Sequence, residues 1–187
     1  MNLPNALTSL RIFLIPFLMV FLLTDFKGNE WAAFGVFLFA TLTDTVDGVL
    51  ARRTNKITEL GQLLDPIADK LLMTAAFICL VGVGRAPAWM AVVIIGREVA
   101  VTGFRAIAAS KGVVIAASWP GKIKMQLETC TIALLILGKG ILGKFMLIGE
   151  IGLWLTMGMA LYSAAEYFLK HGPELVLEKK GGPGVRS

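Results

Sequence analysis

The sequence contains six apolar runs, each close to the length of a helix that crosses a membrane. They cover residues 7–24, 31–50, 63–83, 88–107, 123–142 and 146–169. A helix needs about 20 residues to cross about 30 Å of hydrocarbon. Because 56% of the residues are hydrophobic and only 17% are charged, a soluble domain of this length could not bury the apolar side chains. The sequence therefore predicts an all-α polytopic membrane protein with six transmembrane helices.

Lysine and arginine are unequally divided between the two ends of these predicted spans. Lys70 and Arg97 lie within spans, and only four other basic residues fall on the outer side when the N-terminus is placed inside: Lys27, Arg85, Lys139 and Lys144. The inner side holds Arg11, Arg52, Arg53, Lys56, Arg105, Lys111, Lys122, Lys124, Lys170, Lys179, Lys180 and Arg186. This bias predicts that both termini are cytoplasmic in a cell inner or plasma membrane. It also assigns the net charge of +5 to topology and membrane lipid headgroups, and not to nucleic acid.

The few cysteines and histidines exclude several kinds of chemistry. Cys79 and Cys130 lie alone in apolar runs without the spacing of metal ligands, and the single histidine, His171, lies in the polar C-terminal segment. A disulfide framework, a histidine base and a histidine metal cluster are therefore not expected.

Four of the five aspartates, Asp44, Asp47, Asp65 and Asp69, lie within or at the ends of apolar runs. Each would cost about 2.5–3.5 kcal/mol in the middle of a membrane helix, so the group needs compensating charge. The members of each pair are three or four residues apart and share a helix face. A short connection predicts that their helices are antiparallel neighbours, so that the pairs meet. Carboxylate oxygens select hard divalent cations, which predicts a site for Mg²⁺ or Mn²⁺ at the cytoplasmic end.

Small residues and a proline accompany the aspartates. Gly48 and Ala51 follow Asp44 by four and seven residues, and Gly61 precedes Asp65 by four. Such residues serve either close packing of membrane helices or, beside carboxylates, access for a bulky ligand. Pro66 is expected in the first turn of the third helix, where its missing N–H has little effect.

Together these residues form the pattern Asp44-x2-Asp47-Gly48-x2-Ala51-Arg52-x8-Gly61-x3-Asp65-x3-Asp69. The pattern is similar to the signature of the CDP-alcohol phosphotransferases at all eight fixed positions. At about one chance in twenty per position, accidental agreement within one chain is on the order of 10⁻⁸. The resemblance implies a six-helix fold with a two-metal site that faces the cytosol.

The resemblance also implies a role for each residue of the pattern. Asp44, Asp47, Asp65 and Asp69 would hold two divalent ions, and Asp69 would also act as the base toward the acceptor hydroxyl. Asp69 as a ligand only remains an alternative. The nucleotide of CDP-diacylglycerol would lie against Gly48, Ala51, Gly61 and Arg52. Asn5 and Thr8, which share a helix face with Arg11, would border it.

Over most of its length the chain resembles the phosphatidylglycerophosphate synthase branch of this family. The resemblance rests on residues 2–11, Leu64–Lys70 and Gly96–Arg105. It implies that glycerol 3-phosphate accepts the phosphatidyl group and that CMP is released. Homologues are often dimers, which implies a homodimer. Residues 1–170 would form the membrane domain and 171–187 a flexible cytoplasmic tail.

Arg97 and Arg105 are the residues from which we infer the acceptor. They are eight residues apart on broadly one side of the fourth helix, and a buried arginine needs an anion. Glu98, Glu128 or the aspartates could supply that anion. Alternatively Arg105, together with Lys122 or Lys124, binds the acceptor phosphate, and Arg97 lies beside them.

One departure from the family leaves the acceptor open. Met125 stands where the family usually has threonine, after Gly121, Lys122 and Lys124. Inositol phosphate as acceptor, or phosphatidylglycerol to give cardiolipin, therefore remain alternatives within the same chemistry. A cation-coupled membrane carrier is the alternative from another class, because carboxylates inside a membrane also mark ion paths. The apolar outer halves of the second and third runs argue against it.

Overall fold

The computed structural model describes residues 3–54, 59–110 and 119–177, with side chains for residues 7–43, 66–110, 121 and 123–170. Apart from the links 24–28 and 83–87, these ranges are helical. The helices are α1 (Leu3–Leu23), α2 (Asn29–Thr54), α3 (Glu59–Gly82), α4 (Ala88–Ser110), α5 (Trp119–Leu142) and α6 (Met146–Leu177), and a short 3₁₀ turn (Gly143–Phe145) joins α5 to α6. Each of the six overlaps one of the predicted apolar runs. The prediction of an all-α chain is confirmed over the described residues, whereas six membrane spans remain a prediction.

The helices form a bundle whose successive members alternate in direction. α1 packs along both α2 and α3, α5 forms a hairpin with α6, and α4 packs on α6. We call the end at which α2 ends and α3 begins the aspartate end. Over the described residues α2 and α3 contact each other only slightly, so the prediction that they are close neighbours is wrong for most of their length. The short link joins only their ends, and α2 packs on α5 and α1 instead.

The apolar side chains form both the core and the exterior of the bundle. Phe37, Phe77 and Ile94 are fully buried in one cluster that all six helices surround. Large apolar side chains also cover the outside, such as Trp154 at 57% exposure and Val92 at 69%. Several polar side chains, by contrast, are buried, including Arg11 and Lys124. This distribution is the reverse of that in a soluble protein and suits a lipid environment.

One continuous helical stretch of the described chain, Ile123–Lys170, is long and apolar enough to cross a membrane, with a mean hydropathy of 1.9. It comprises α5, the 3₁₀ turn and most of α6. At 48 residues it is about twice the length of a single span. Because the chain reverses at the turn, the stretch is a hairpin of two apolar helices.

Pro66 does not lie where the sequence predicts. Because α3 begins at Glu59, Pro66 is two turns inside the helix. Proline has no N–H to donate to the carbonyl four residues earlier, so the carbonyl of Gln62 loses its helical partner. The apolar run misplaced the start of the helix because the first turn of α3 is polar. α3 therefore continues through Pro66 with one backbone hydrogen bond fewer, within the segment that carries the predicted site.

The turn between α3 and α4 is built at the opposite end of the bundle. Gly84 has φ +71°, and the N–H of Arg85 donates to the carbonyl of Leu80 at 2.8 Å. This is the hydrogen-bond pattern of a glycine-terminated helix. The turn directs the Arg85 side chain toward the end of α5.

Arg85 joins three elements at that end, and we call this group the Arg85 clamp. Its guanidinium donates to the carbonyl of Ile136 in α5 and pairs with the carboxylate of Glu30 in α2. Gly138 has φ +65° and ψ −178° inside α5, a conformation essentially limited to glycine. The interruption of the helix frees the carbonyls that Arg85 binds. The break lies at the first residue of the Gly-Lys-Gly stretch, 138–140, within α5.

The predicted division into a membrane domain and a tail stays a prediction. α6 continues through residue 177, so the first seven residues of the proposed tail, 171–177, are helical. Residues 178–187 lie outside the described residues.

Replacing Gly138 with alanine should destabilise the protein. A Cβ at this position would lie 2.5 Å from the guanidinium carbon of Arg85, and the positive φ adds strain of about 1–3 kcal/mol. We expect Gly138→Ala to lower the temperature at which the detergent-solubilised protein loses helical circular dichroism. The control is Gly158→Ala, because Gly158 lies in α6 with open space around it. An unchanged transition in Gly138→Ala would contradict the clamp.

Candidate functional site

A polar cavity of about 240 Å³ lies at the aspartate end, between α3, α4, α5 and α6. Its lining is Pro66, Asp69, Lys70, Met73, Thr74, Phe77, Ile95, Arg97, Glu98, Val101, Thr102, Arg105, Gly121, Lys124, Met125, Glu128 and Tyr167. Seven of these residues carry ionisable acidic or basic groups of aspartate, glutamate, lysine or arginine. Apolar side chains, among them Phe77 and Ile95, form the rest of the lining together with a few neutral polar residues. The cavity is therefore suited to a small anion or to a ligand with one charged end.

Lys124 of α5 is buried between two carboxylates. Its side chain is 2% exposed, and its ammonium lies 2.6 Å from a carboxylate oxygen of Glu98 and also pairs with Glu128. The Glu128 side chain is itself only 6% exposed. Burying a charge is costly unless a partner compensates it. The pairings therefore allow three ionised groups to lie inside an apolar bundle.

Glu98 of α4 is the centre of this network. One carboxylate oxygen lies 2.6 Å from both Arg97 and Lys124, and the other lies 3.6 Å from Lys70. Lys70 also donates to the hydroxyl of Thr102, and that hydroxyl donates to the backbone carbonyl of Glu98 at 2.7 Å. A single carboxylate thus connects α3, α4 and α5.

The two arginines of α4 have different surroundings. Arg97 pairs with Glu98 and donates to the hydroxyl of Ser163 in α6. Arg105 instead donates from Nε to the hydroxyl of Tyr167 in α6 at 3.1 Å. Within the part of the chain that the structure describes, no carboxylate pairs with Arg105. Among the described cations that line the cavity, Lys70, Arg97 and Lys124 each pair with a carboxylate, and Arg105 does not.

The aspartates lie at matching heights on α2 and α3. Asp47 is seven residues before the last residue of α2, and Asp65 is six residues after the first residue of α3. At about 1.5 Å per residue, both are about 10 Å from the helix ends. Asp44 and Asp69 are each ten residues from the same ends. Asp69 lines the cavity, while the side chains of the other three lie outside the described residues.

The family to which the chain belongs follows from a match over most of its length. The model of the family described as CDP-alcohol phosphatidyltransferase matches residues 1–162. The chain belongs to the CDP-alcohol phosphatidyltransferase family. The match spans the four aspartates, α4 with both arginines, all of α5 and the first half of α6. All residues that line the cavity except Tyr167 therefore lie within the matched region, and the chain is an enzyme of phospholipid synthesis associated with the membrane.

Three similar proteins carry the same printed name, CDP-diacylglycerol–glycerol-3-phosphate 3-phosphatidyltransferase. The one from Bacillus subtilis is 41% identical over 186 residues, which cover 91% of this chain and 95% of the relative. The one from Pseudomonas fluorescens is 33% identical, over 94% of this chain and 92% of the relative. The one from Rickettsia felis is 34% identical, over 89% and 93%. The similarity therefore spans almost the whole of these phosphatidyltransferases.

The predicted nucleotide-binding residues of this family member are only partly described. Thr8 is fully buried on α1, and Arg11, one turn further, is 1% exposed. Both are buried, so they share a helix face as their spacing predicts. The side chains of the other five predicted residues lie outside the described residues: Asn5, Gly48, Ala51, Arg52 and Gly61. Their role stays a prediction.

The predicted acceptor residues converge on the cavity. Arg97, Arg105 and Lys124 all line it, and the side chain of Lys122 lies outside the described residues. Arg97 is paired with Glu98, one of the anions expected for a buried arginine, and Lys124 is paired with both Glu98 and Glu128. Binding of a phosphate by these residues stays a prediction.

Three residues that shape the site, Lys70, Ser163 and Tyr167, are not predicted by the sequence pattern. Lys70 was placed inside a span without a partner, and neither Ser163 nor Tyr167 was singled out. The four-residue spacing of Lys124 and Glu128, which places both on one face of a helix, was a usable signal for that pair. For Tyr167 there was none, because its contact with Arg105 joins residues 62 positions apart.

The metal site cannot be assembled from the described residues alone. Among them, no group of three or more aspartate, glutamate, histidine or cysteine side chains is placed to hold a metal ion. Three of the four predicted ligands, Asp44, Asp47 and Asp65, lie outside this set. The donor chemistry and the matched heights on α2 and α3 fit a divalent cation.

Removing Lys124 should destabilise the protein, and replacing the pair of Lys124 and Glu128 by apolar side chains should restore most of the stability. Lys124→Ala leaves Glu128 buried without its cation, which should destabilise the protein by about 3–5 kcal/mol. Lys124→Met combined with Glu128→Leu replaces the pair by apolar side chains and should recover most of that loss. The thermal midpoint of the protein in detergent measures both effects. Lys144→Ala, an exposed lysine of the 3₁₀ turn, is the control.

If Lys124→Ala were as stable as the native protein, the ion pairs would not be structural. Lys124 would then be available to bind a ligand without rearrangement of the network.

Proposed function

We propose that this protein transfers the phosphatidyl group of CDP-diacylglycerol to glycerol 3-phosphate, giving phosphatidylglycerophosphate and CMP. The observation that carries the proposal is the polar cavity, where Asp69 and Arg105 line the same space. The reaction needs a carboxylate beside the acceptor hydroxyl and a cation for the acceptor phosphate. The relatives from Bacillus subtilis and Pseudomonas fluorescens, which are similar over nearly their whole length, are named for this reaction.

Members of this family generally depend on divalent metal ions. We infer that Asp44, Asp47, Asp65 and Asp69 hold two such ions, Mg²⁺ or Mn²⁺. Carboxylate oxygens suit these cations, and the ions explain how four aspartates are accommodated in apolar helices. When bound, the ions supply positive charge that neutralises the pyrophosphate and the leaving CMP.

Asp69 takes the proton of the acceptor hydroxyl in this proposal. The hydroxyl oxygen forms a bond with the phosphorus of the phosphatidyl group, and the bond between that phosphorus and the oxygen of CMP breaks. The electron pair of the broken bond leaves with CMP, and the proton goes to the Asp69 carboxylate. A carboxylate within reach of the hydroxyl is sufficient as general base.

The acceptor phosphate binds near the end of α4. Arg105 is the principal ligand, because no carboxylate of the described residues neutralises it. Arg97 has a buried Nε without a hydrogen-bond partner among the described residues, so it retains a donor. Lys122 and Lys124 complete the anion site. A dianionic phosphate can compete with Glu98 for Arg97 and Lys124, whereas a neutral alcohol cannot. The site therefore prefers phosphorylated acceptors.

The nucleotide lies on the side of α1 and α2. Thr8, buried at the aspartate end, borders the cytidine together with Asn5. Gly48, Ala51 and Gly61 leave room for the nucleotide, and Arg52 contacts its phosphates. The lipid tails remain in the membrane, where the apolar exterior of the bundle is in contact with membrane lipids. All six helices span the membrane, with both termini and the site on the cytoplasmic side, and the enzyme is a homodimer.

Inositol phosphate is the second candidate acceptor. Met125 occupies the position where the family usually has threonine. It lines the cavity and is 38% exposed. A change at this position alters the wall that the acceptor contacts. The methionine at this position is therefore a reason to test more than one phosphorylated acceptor.

Release of CMP by the purified protein tests the proposal. The protein is incubated with CDP-diacylglycerol and Mg²⁺ or Mn²⁺, and with one acceptor at a time: glycerol 3-phosphate, inositol phosphate, inositol, serine or phosphatidylglycerol. We expect release with glycerol 3-phosphate and none after EDTA. Release only with another acceptor would overturn the assignment of glycerol 3-phosphate as the acceptor. Absence of release with every acceptor would favour the cation carrier.

Asp44→Asn and Asp69→Asn should abolish CMP release without unfolding the protein. Asparagine has a similar shape but no negative charge, so it cannot neutralise a metal ion or accept the proton. We expect rates below about 1% of native, because a general base contributes about 10²–10⁴-fold. Asp25→Asn, on the exposed link between α1 and α2, is the matched control. Native activity in Asp69→Asn would exclude its role as base.

Arg105→Ala should raise the KM for glycerol 3-phosphate far more than the KM for CDP-diacylglycerol. Hydrogen bonds to charged groups contribute about 1.5–3 kcal/mol, which corresponds to a rise of about 10–150-fold. Initial rates at varied acceptor concentration measure the effect. An unchanged KM would place the acceptor phosphate elsewhere in the cavity.

A further inference from the structure

The hydrogen bond between Arg105 and Tyr167 links the cavity to α6. The Nε of Arg105 donates to the hydroxyl of Tyr167 at 3.1 Å, and the guanidinium carbon lies 5.2 Å from the centre of the tyrosine ring. Arg105 comes from the last third of α4 and Tyr167 from α6. Both side chains line the cavity.

The Tyr167 ring is itself held in place. It is 3% exposed, and it meets the ring of Phe104 edge to face, with centroids 5.6 Å apart. Phe168 packs against Phe104 with centroids 5.1 Å apart. Aromatic contacts of this geometry are favourable beyond the area they bury. The hydroxyl of Tyr167 is therefore presented to Arg105 from a fixed position.

A hydrogen bond at Nε determines which edge of the guanidinium remains for a ligand. Arginine has five N–H donors in a rigid plane, and Tyr167 uses the single donor at Nε. The two terminal nitrogens keep four donors, which match two oxygens of a phosphate. An arginine side chain without such a restraint would lose more conformational entropy when it binds.

We propose that Tyr167 is a positioning residue for the acceptor phosphate, and that it acts through Arg105. This inference rests on the proposed function of Arg105. Tyr167 orients the guanidinium so that its terminal nitrogens face the cavity. α6, which carries none of the predicted site residues, thereby contributes to recognition of the acceptor.

The test is a double-mutant cycle with Tyr167→Phe and Arg105→Ala in the full-length protein. Tyr167→Phe keeps the ring and its packing but removes the hydroxyl. We expect it to raise the KM for glycerol 3-phosphate about tenfold, with little change in kcat or in the KM for CDP-diacylglycerol. In the Arg105→Ala background, Tyr167→Phe should change that KM less than about twofold, because interacting residues are not additive.

The control is Tyr162→Phe, which removes an exposed hydroxyl from the same helix and should leave every parameter unchanged. Two results would overturn the proposal. Equal effects of Tyr167→Phe in the native and Arg105→Ala backgrounds would show that Tyr167 does not act through Arg105. A fall in kcat with unchanged KM would assign it a general structural role.

Calorimetric titration with inorganic phosphate separates this proposal from the proposed function. The native protein should bind phosphate more tightly than Tyr167→Phe, and the difference should disappear in the Arg105→Ala background. If no CMP is released with glycerol 3-phosphate, the acceptor assignment fails, yet the titration still decides the role of Tyr167. Equal phosphate affinity of the native protein and Tyr167→Phe would overturn the proposal.

Discussion

Neutralising charge inside an apolar bundle is the constraint on which the rest of this structure depends. The carboxylate of Glu98 satisfies it by lying 2.6 Å from both Arg97 and Lys124, and 3.6 Å from Lys70. None of these four groups could remain charged alone among apolar side chains. Because they come from three helices, their mutual pairing fixes the relative positions of α3, α4 and α5. The same pairing creates a polar wall that a phosphorylated ligand can contact.

Charged side chains are neutralised differently at the two ends of the bundle. At the end opposite the aspartates, Arg85 is held by Glu30 and by backbone carbonyls that the break at Gly138 exposes. Because these contacts already pair the Arg85 side chain, the Arg85 clamp has little capacity left to bind a ligand. At the aspartate end, Arg105 is held by a neutral partner, the hydroxyl of Tyr167. The first arrangement is suited to stability, whereas the second leaves a cation available for a ligand.

Much of the fold follows from local sequence properties. The length of each apolar run determined the existence and the type of each helix, because an apolar segment of about 20 residues has few alternatives to a helix in a membrane. The ends were predicted less well. The apolar pattern begins at residue 63, whereas α3 begins at Glu59, because the first turn is polar. For this reason Pro66 was expected near the start of the helix and lies in its interior.

The family, the six helices and the candidate residues follow from the aspartate spacing and the apolar runs, which are local properties of the chain. The contacts between helices and the pairing of charges depend on tertiary packing. α2 and α3 are joined by a short link but mostly pack on other helices, and link length does not specify packing. Arg97 and Arg105 look alike in the sequence. Arg97 donates to Ser163 of α6 and pairs with its own neighbour Glu98, whereas Arg105 donates to Tyr167, because packing of α4 on α6 places a different hydroxyl beside each arginine.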